Sequence, residues 1–223
     1  MSLKNILLTT FLLACNSNGN PTNYALIING DTKGLRHKNN TNNSIDTLER
    51  LNYNITILES PSTSQELINT ITILGEEIDN NDTLLIYTTG FGINQYGKQA
   101  LELDNNSISL EHIVEQLKDH INAAKYIIIS DQCYSGGILP HLHTLDGYTQ
   151  AYTSTDGDHR TPCETFANPF WEKLAETKDF DKAFCYAADL HANDPRPTKK
   201  PSSRIAQYFN TDQGSMPYYD FCQ

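Results

Sequence analysis

Residues 125–137 read KYIIISDQCYSGG, and this stretch decides the fold. Its first six residues form a compact apolar run, the pattern of a strand buried on both faces. The run leads directly into Asp131-Gln132-Cys133-Tyr134-Ser135-Gly136-Gly137. A cysteine just past a buried strand lies at the carboxyl edge of the sheet. There, backbone N–H groups can lower its pKa and bind a developing oxyanion. Gly136-Gly137 lets the backbone pass close to a ligand. The competing reading is a cysteine packed in a turn, and the polar neighbours Asp131, Gln132 and Ser135 weigh against it.

Outward from this stretch, strands and helices alternate. Residues 24–29 (YALIIN), 54–58 (NITIL), 82–89 (DTLLIYTT) and 148–154 read as strands, with a last strand at 205–209. Helical spacing covers 43–51, 66–78, 109–121, 166–176 and 179–192, and Ser109 is the N-cap of the third helix. The segment between residues 92 and 109 reads as a loop, as does the Pro-rich 194–201. Such alternation predicts an α/β three-layer sandwich, a mostly parallel sheet with helices on both faces. Function in such sheets sits beyond the carboxyl ends of the strands. Two further loops therefore matter. Leu35-Arg36-His37-Lys38 follows the first strand, and an arginine there can grip a carboxylate or carbonyl oxygen in a fork. As a lone feature it reads first as a solvated loop charge. Tyr87-Thr88-Thr89-Gly90-Phe91-Gly92 ends the third strand and reads by default as a glycine turn.

Composition narrows the partners. Of 223 residues, Lys plus Arg number 16 and Asp plus Glu 27, a formal charge of 16 − 27 = −11. That balance repels phosphate backbones, so nucleic acid is excluded as a partner. Asparagine runs such as Asn39-Asn40 and Asn42-Asn43 are read as surface-loop bias. No stretch of 18 apolar residues exists to span a bilayer. At the N-terminus, MSLKNILLTTFLLAC places Lys4 before a short apolar run that ends Leu12-Leu13-Ala14-Cys15. This resembles a bacterial signal peptide with a lipobox, in which the cysteine is acylated and holds the protein on a membrane surface. Residues 1–15 are accordingly read as signal peptide, 16–22 as tether and 23–223 as one folded domain. The expected location is the bacterial cell envelope, periplasm or outer membrane, or otherwise secretion.

An exported fold meets an oxidising compartment. Besides Cys15 the chain has Cys133, Cys163, Cys185 and Cys222. With Cys133 in a nucleophile-like motif, at most one disulfide forms, and the pair expected is Cys185 with Cys222.

Together, Arg-His after the first strand, Gly-x-Gly after the third and Cys-x-Ser-Gly after the fourth resemble the caspase-fold cysteine peptidases. Arg36-His37 before an Asn-rich helix start looks closest to their legumain and GPI-transamidase branch. The resemblance spans roughly residues 23–209. It implies Cys133 as nucleophile, with Gly92 and Cys133 supplying the oxyanion-hole N–H groups. It implies Arg36 in the primary specificity pocket with His37 beside it, and residues 153–156, Ser154 among them, flanking that pocket. Legumain-like enzymes accept Asn there and caspases accept Asp.

One position departs. The family has Gly-His-Gly where this chain has Gly90-Phe91-Gly92, and phenylalanine neither takes nor gives a proton. General acid–base catalysis contributes about 10²–10⁴ in rate, so the loss implies an impaired or inactive peptidase. Two alternatives stand beside this: an active endopeptidase cutting after Asn or Asp with a substitute base, and a surface-anchored pseudopeptidase that binds peptides. His141, His143 and His159 are the histidines considered as substitutes, and each is more simply a surface residue. A nucleotide-binding or flavodoxin-like use of the sheet ranks last, because no phosphate-binding glycine motif follows a strand. Histidines and carboxylates show no ligand spacing, so no metal or cofactor is expected.

Overall fold

Side chains of the first strand, β1 (Asn23–Asn29), alternate between two cores. Leu26 and Ile28 enter one buried cluster, Ala25 and Ile27 the other. A sheet that buries both faces in this way needs helices on each side, and the computed structural model has them. It describes residues 20–30, 38–59, 61, 63–160, 165–193 and 206–222.

After β1 come α1 (Lys38–Arg50), β2 (Asn54–Glu59), α2 (Ser64–Gly75) and β3 (Thr83–Thr89). Three short strands follow, β4 (Gly92–Gln95), β5 (Lys98–Glu102) and β6 (Ser107–Ser109), then α3 (Leu110–His120) and β7 (Lys125–Asp131). The chain continues through a 3-10 helix (Ser135–Thr144), β8 (Tyr148–Thr153), α4 (Ala167–Thr177) and α5 (Phe180–Ala192). It closes with β9 (Gln207–Asn210), β10 (Gly214–Pro217) and α6 (Tyr218–Phe221).

Seven strands form the main sheet in the order β10-β9-β8-β7-β3-β1-β2. Pairing is parallel from β2 to β8 and antiparallel from β8 to β10. Residues from α2, α3 and the 3-10 helix cover one face, and residues from α1, α4 and α5 cover the other. The three-layer α/β sandwich expected from the alternation is therefore present. On the α4–α5 side Trp171 is fully buried and meets Tyr87 edge-on at 4.9 Å between ring centroids. Helix α1 departs from β1 on this face, whereas α3 follows β3 on the opposite face. The strand order thus reverses between β1 and β3, which opens a crevice at their carboxyl ends.

Several expectations shift at their edges. Ser109 caps α3 as read, its hydroxyl accepting from the His112 N–H at 3.0 Å. The segment read as a loop after Gly92 is instead a three-stranded sheet, β4-β5-β6. Its sequence is too short and polar to announce strands, and its hairpin turn at Tyr96-Gly97 has positive φ at both residues, 54° and 83°. The 3-10 helix, β10 and α6 were likewise not anticipated. Cys185 and Cys222 form a disulfide, as expected, with Cα atoms 5.5 Å apart. Residues 1–19, which include the expected signal peptide with Cys15, the Arg36-His37 pair, Cys163, residues 194–201 and Ile205 lie outside the described residues.

Candidate active site

The parallel register brings the carboxyl ends of the central strands level. Asn29 pairs with Thr89, and Thr89 pairs with Asp131. On the far side Ser130 pairs with Thr153, which sets Ser154 beside the start of the cysteine turn. The Gly90-Phe91-Gly92 turn, the cysteine turn and the loop after β8 therefore converge on one edge.

Each turn is shaped by local chemistry. Gly90 has φ +133°, a conformation a side chain resists, and it packs against the backbone of Gly30. Gly92 lies directly on the cysteine turn, so close that a Cβ there would overlap the Cys133 carbonyl oxygen. Glu102 donates its N–H to the Phe91 carbonyl at 2.8 Å, and Gly92 faces Leu101 one position on. In an antiparallel ladder bonded and non-bonded pairs alternate, so the Gly92 N–H points away from β5. That direction suits a donor for an oxyanion formed over Cys133. Phe91 itself is 39% exposed at the rim of this edge.

Cys133 is outside any disulfide and partly exposed. The next residue, Tyr134, takes a left-handed φ of 64°, which turns the chain sharply out of β7. Ser135 donates its N–H to the Gln132 carbonyl at 3.2 Å and starts the 3-10 helix. Beneath the turn, Thr88, Ser130 and Gln132 form a buried side-chain triangle with separations of 2.9, 2.9 and 3.1 Å. Gln132 Nε2 is buried and has no hydrogen-bond partner among the described residues. Asp131 is buried too and accepts from Asn40 Nδ2 at 3.3 Å, which ties α1 to the same edge.

The loop after β8 is stitched to the cysteine turn. The Thr155 N–H donates to the Ser135 hydroxyl at 3.1 Å, and that hydroxyl donates to the Thr155 carbonyl at 3.3 Å. Ser154 is fully buried, its hydroxyl 3.4 Å from that of Ser135. Gly136 packs against the backbone of Thr155 and Asp156, and Gln99 of β5 donates to the Gly157 carbonyl at 3.0 Å. Tyr134 donates its N–H to the His159 carbonyl at 2.8 Å, and Arg160 Nε donates to the Tyr134 hydroxyl at 3.0 Å. The exposed Arg160 guanidinium is held further up by that hydrogen bond first and by the Cys133 sulfur to a smaller degree. His159 Nδ1 lies 2.7 and 2.8 Å from the two carboxylate oxygens of Asp156.

Sequence reasoning thus located Cys133, Gly92, Phe91 and Ser154, and the fold brings all four to one edge. It held Asp156 only as one of residues 153–156 beside the pocket, gave Tyr134 no role beyond its place in the cysteine motif, and missed Arg160. An Asp three residues before a His inside a turn was the available signal. An open depression of about 350 Å³ on the small sheet is lined by Gln95, Tyr96, Lys98, Ala100, Ser107 and Ser109, without a thiol, imidazole or carboxylate. Among the described residues no group of three or more His, Cys, Asp or Glu is placed to hold a metal. No described helix is long and apolar enough to cross a membrane.

A cysteine at the carboxyl edge of a doubly covered sheet, with a glycine seated on its backbone, is the arrangement of a caspase-fold cysteine peptidase. The sequence agrees over almost the whole fold: residues 22–218 match the caspase domain, and the chain belongs to that family. Its fold is similar to that of caspase-1 from Spodoptera frugiperda, with a TM-score of 0.65, 14% identity, and coverage of 86% of this chain and 88% of that one. It is also similar to a structural-genomics target protein from Geobacter sulfurreducens, with a TM-score of 0.59, 11% identity, and coverage of 85% and 93%. No curated protein matches the chain in sequence.

Proposed function

We propose that the chain is a legumain-like cysteine-peptidase homologue that binds a peptide across Cys133 and cleaves it poorly or not at all. The observation behind this is Phe91 directly before Gly92, the glycine seated on the Cys133 backbone, at the position where the family carries its proton-transferring histidine. In this reading Cys133 is the nucleophile, and the N–H groups of Gly92 and Cys133 receive the oxyanion. Arg36, with His37 and Ser154 about it, holds the side chain of the residue before the cut, Asn or Asp. Cys15 carries the acyl anchor that places residues 23–223 on a bacterial cell-envelope membrane, with 16–22 as tether. The Cys185–Cys222 disulfide supports an oxidising compartment.

Hydrolysis of Asn- and Asp-terminated fluorogenic peptides tests the catalytic part. The native chain runs beside Cys133→Ala and Phe91→His. We expect weak or absent turnover in the native chain, none in Cys133→Ala, and a gain of about 10² or more in Phe91→His. Native turnover as fast as that of Phe91→His overturns the impaired reading. Silence in all three favours a peptide-binding role. For the anchor, Cys15→Ala removes the acyl mass from the mature protein, and an unchanged mature mass rejects the lipobox.

A further inference from the structure

The Gly92 N–H is not the only backbone group of its strand that points away from β5. Glu102 donates its N–H to the Phe91 carbonyl, so Phe91 and Glu102 are a bonded pair of this ladder. Bonded and non-bonded pairs alternate along an antiparallel ladder. Gly92 faces Leu101 and Asn94 faces Gln99, so the next bonds to β5 are made at Ile93 and Gln95. The N–H and C=O groups of Gly92 and Asn94 therefore all face the outer edge. β4 is the end strand of the small sheet, and among the described residues no strand pairs with that edge. Gly92-Ile93-Asn94-Gln95 carries no proline and no charge to blunt it, and Asn94 and Gln95 are exposed. An uncovered edge of this kind is a template for an added strand.

The place where the edge begins selects its occupant. Gly92 is seated on the Cys133 backbone, and in the proposed function its N–H receives the carbonyl oxygen of the bond to be cut. The main sheet runs β8-β7-β3, so the loop after β8 and the third-strand turn flank the cysteine turn on opposite sides. The proposed function places the residue before the cut beside Ser154, on the β8 side. The chain beyond the cut then leaves on the β3 side, past Gly92, where β4 starts and runs onward.

We propose that the outer edge of β4 binds the part of the peptide that follows the cut, as an added parallel strand. This pairing rests on the reading of the Cys133 edge as a peptide-binding site. The Gly92 N–H donates to the carbonyl of the residue before the cut, and the Gly92 carbonyl accepts the N–H of the second residue after it. The Asn94 N–H donates to the carbonyl of that second residue, and the Asn94 carbonyl accepts the N–H of the fourth. The N–H of the third residue points away from β4. Side chains alternate in the same way, so the second residue lies beside the partly exposed Ile93, on the face that carries Gln95 and Lys98. An extended leaving segment with an apolar second residue is thus the ligand this edge fits.

Ester scanning of a bound peptide tests the pairing with the edge itself unchanged. The full chain carrying Cys133→Ala holds the probe uncut. The probes are the acetylated and amidated peptide Ala-Ala-Asn-Ala-Leu-Ala-Ala-Ala and its counterpart with Asp in place of Asn, titrated by calorimetry. Exchanging one amide N–H at a time for an ester oxygen removes a single donor. We expect a loss in affinity of about 2–10-fold for the ester at the second or the fourth residue after the cut, and none at the third. Asn94→Pro deletes an outward N–H and no bond to β5, and it weakens both parent peptides by a like factor. An ester scan without this alternation, or one sensitive only before the cut, overturns the proposal and leaves the peptide-binding reading in place. Native affinity in Asn94→Pro overturns it as well. Failure of both parent peptides to bind overturns the peptide-binding reading, and the edge pairing with it.

Discussion

Gly92→Ala puts the seating of the third-strand turn on the cysteine turn to the test. A Cβ at residue 92 overlaps the Cys133 carbonyl oxygen and comes within 2.7 Å of its carbonyl carbon and 3.0 Å of its nitrogen. All three are backbone atoms, so no side chain can swing aside, and one of the two turns must move. Overpacking of this kind costs about 1–3 kcal/mol. For a domain of this size each kcal/mol lowers Tm by ~2–4 °C, which gives a fall of roughly 2–12 °C. The same displacement moves the Gly92 N–H away from the carbon that Cys133 attacks. Loss of one oxyanion donor costs about 10²–10³ in rate, best read in a Phe91→His background where turnover is fast. Gly157→Ala serves as the comparison, since its nearest neighbours stand 3.3 Å away, a tight approach that a shift of a few tenths of an ångström relieves, where Gly92 meets an outright overlap. The assay is thermal unfolding of both variants with Cys133 alkylation as a local probe. A Gly92→Ala protein with native Tm and native alkylation would mean that Gly92 does not sit on Cys133, and the oxyanion assignment would go with it.

Two further outcomes follow from the helical layer and from the buried phenols. The Cys185–Cys222 bond closes a loop of 37 residues' separation, which in the chain-entropy account stabilises the fold by about 4 kcal/mol; denaturant unfolding with and without reductant should differ by ~2–4 kcal/mol, and a difference near zero would count against that account. Burial pushes Tyr53 up to about 12 and raises Tyr87 and Tyr152 as well. A folded-state pKa above the unfolded value of ~10 means that the unfolded chain ionises first. This contribution to stability is therefore complete below pH ~10 and disappears as pH rises toward about 12. Tyr53→Phe should flatten the alkaline part of the stability curve between those limits, and an unchanged slope would show that Tyr53 is not a contributor.

The main sheet was legible because its strands are buried on both faces, and such strands are short apolar runs that no amphipathic helix imitates. Residues 24–29 and 125–130 announce themselves on those terms, and Ser109 announces the start of α3. The small sheet was illegible for the opposite reason. Gly92–Gln95 and Ser107–Ser109 carry at most one large apolar residue each, such as the buried Ile108, and polar residues such as Asn94, Gln95 and Lys98 are exposed, so no apolar run marks them as strands. The 3-10 helix was hidden by two glycines at its start and Pro140 inside it, residues that argue against any helix.

The site divides along the same line. Cys133 and Gly92 are recognisable because a carboxyl-edge cysteine and a close-approach glycine leave local marks in sequence. The linkage of Asp156 and His159 to the cysteine turn leaves none, because it depends on β7 pairing with β8 in a register that sets Thr153 against Ser130. That register carries the next loop back over Cys133, where Ser135 and Tyr134 bind its backbone. The cysteine turn is therefore fixed from two sides, by the third-strand turn that seats Gly92 on Cys133 and by the loop after β8, and a change in either loop should be felt at the same sulfur.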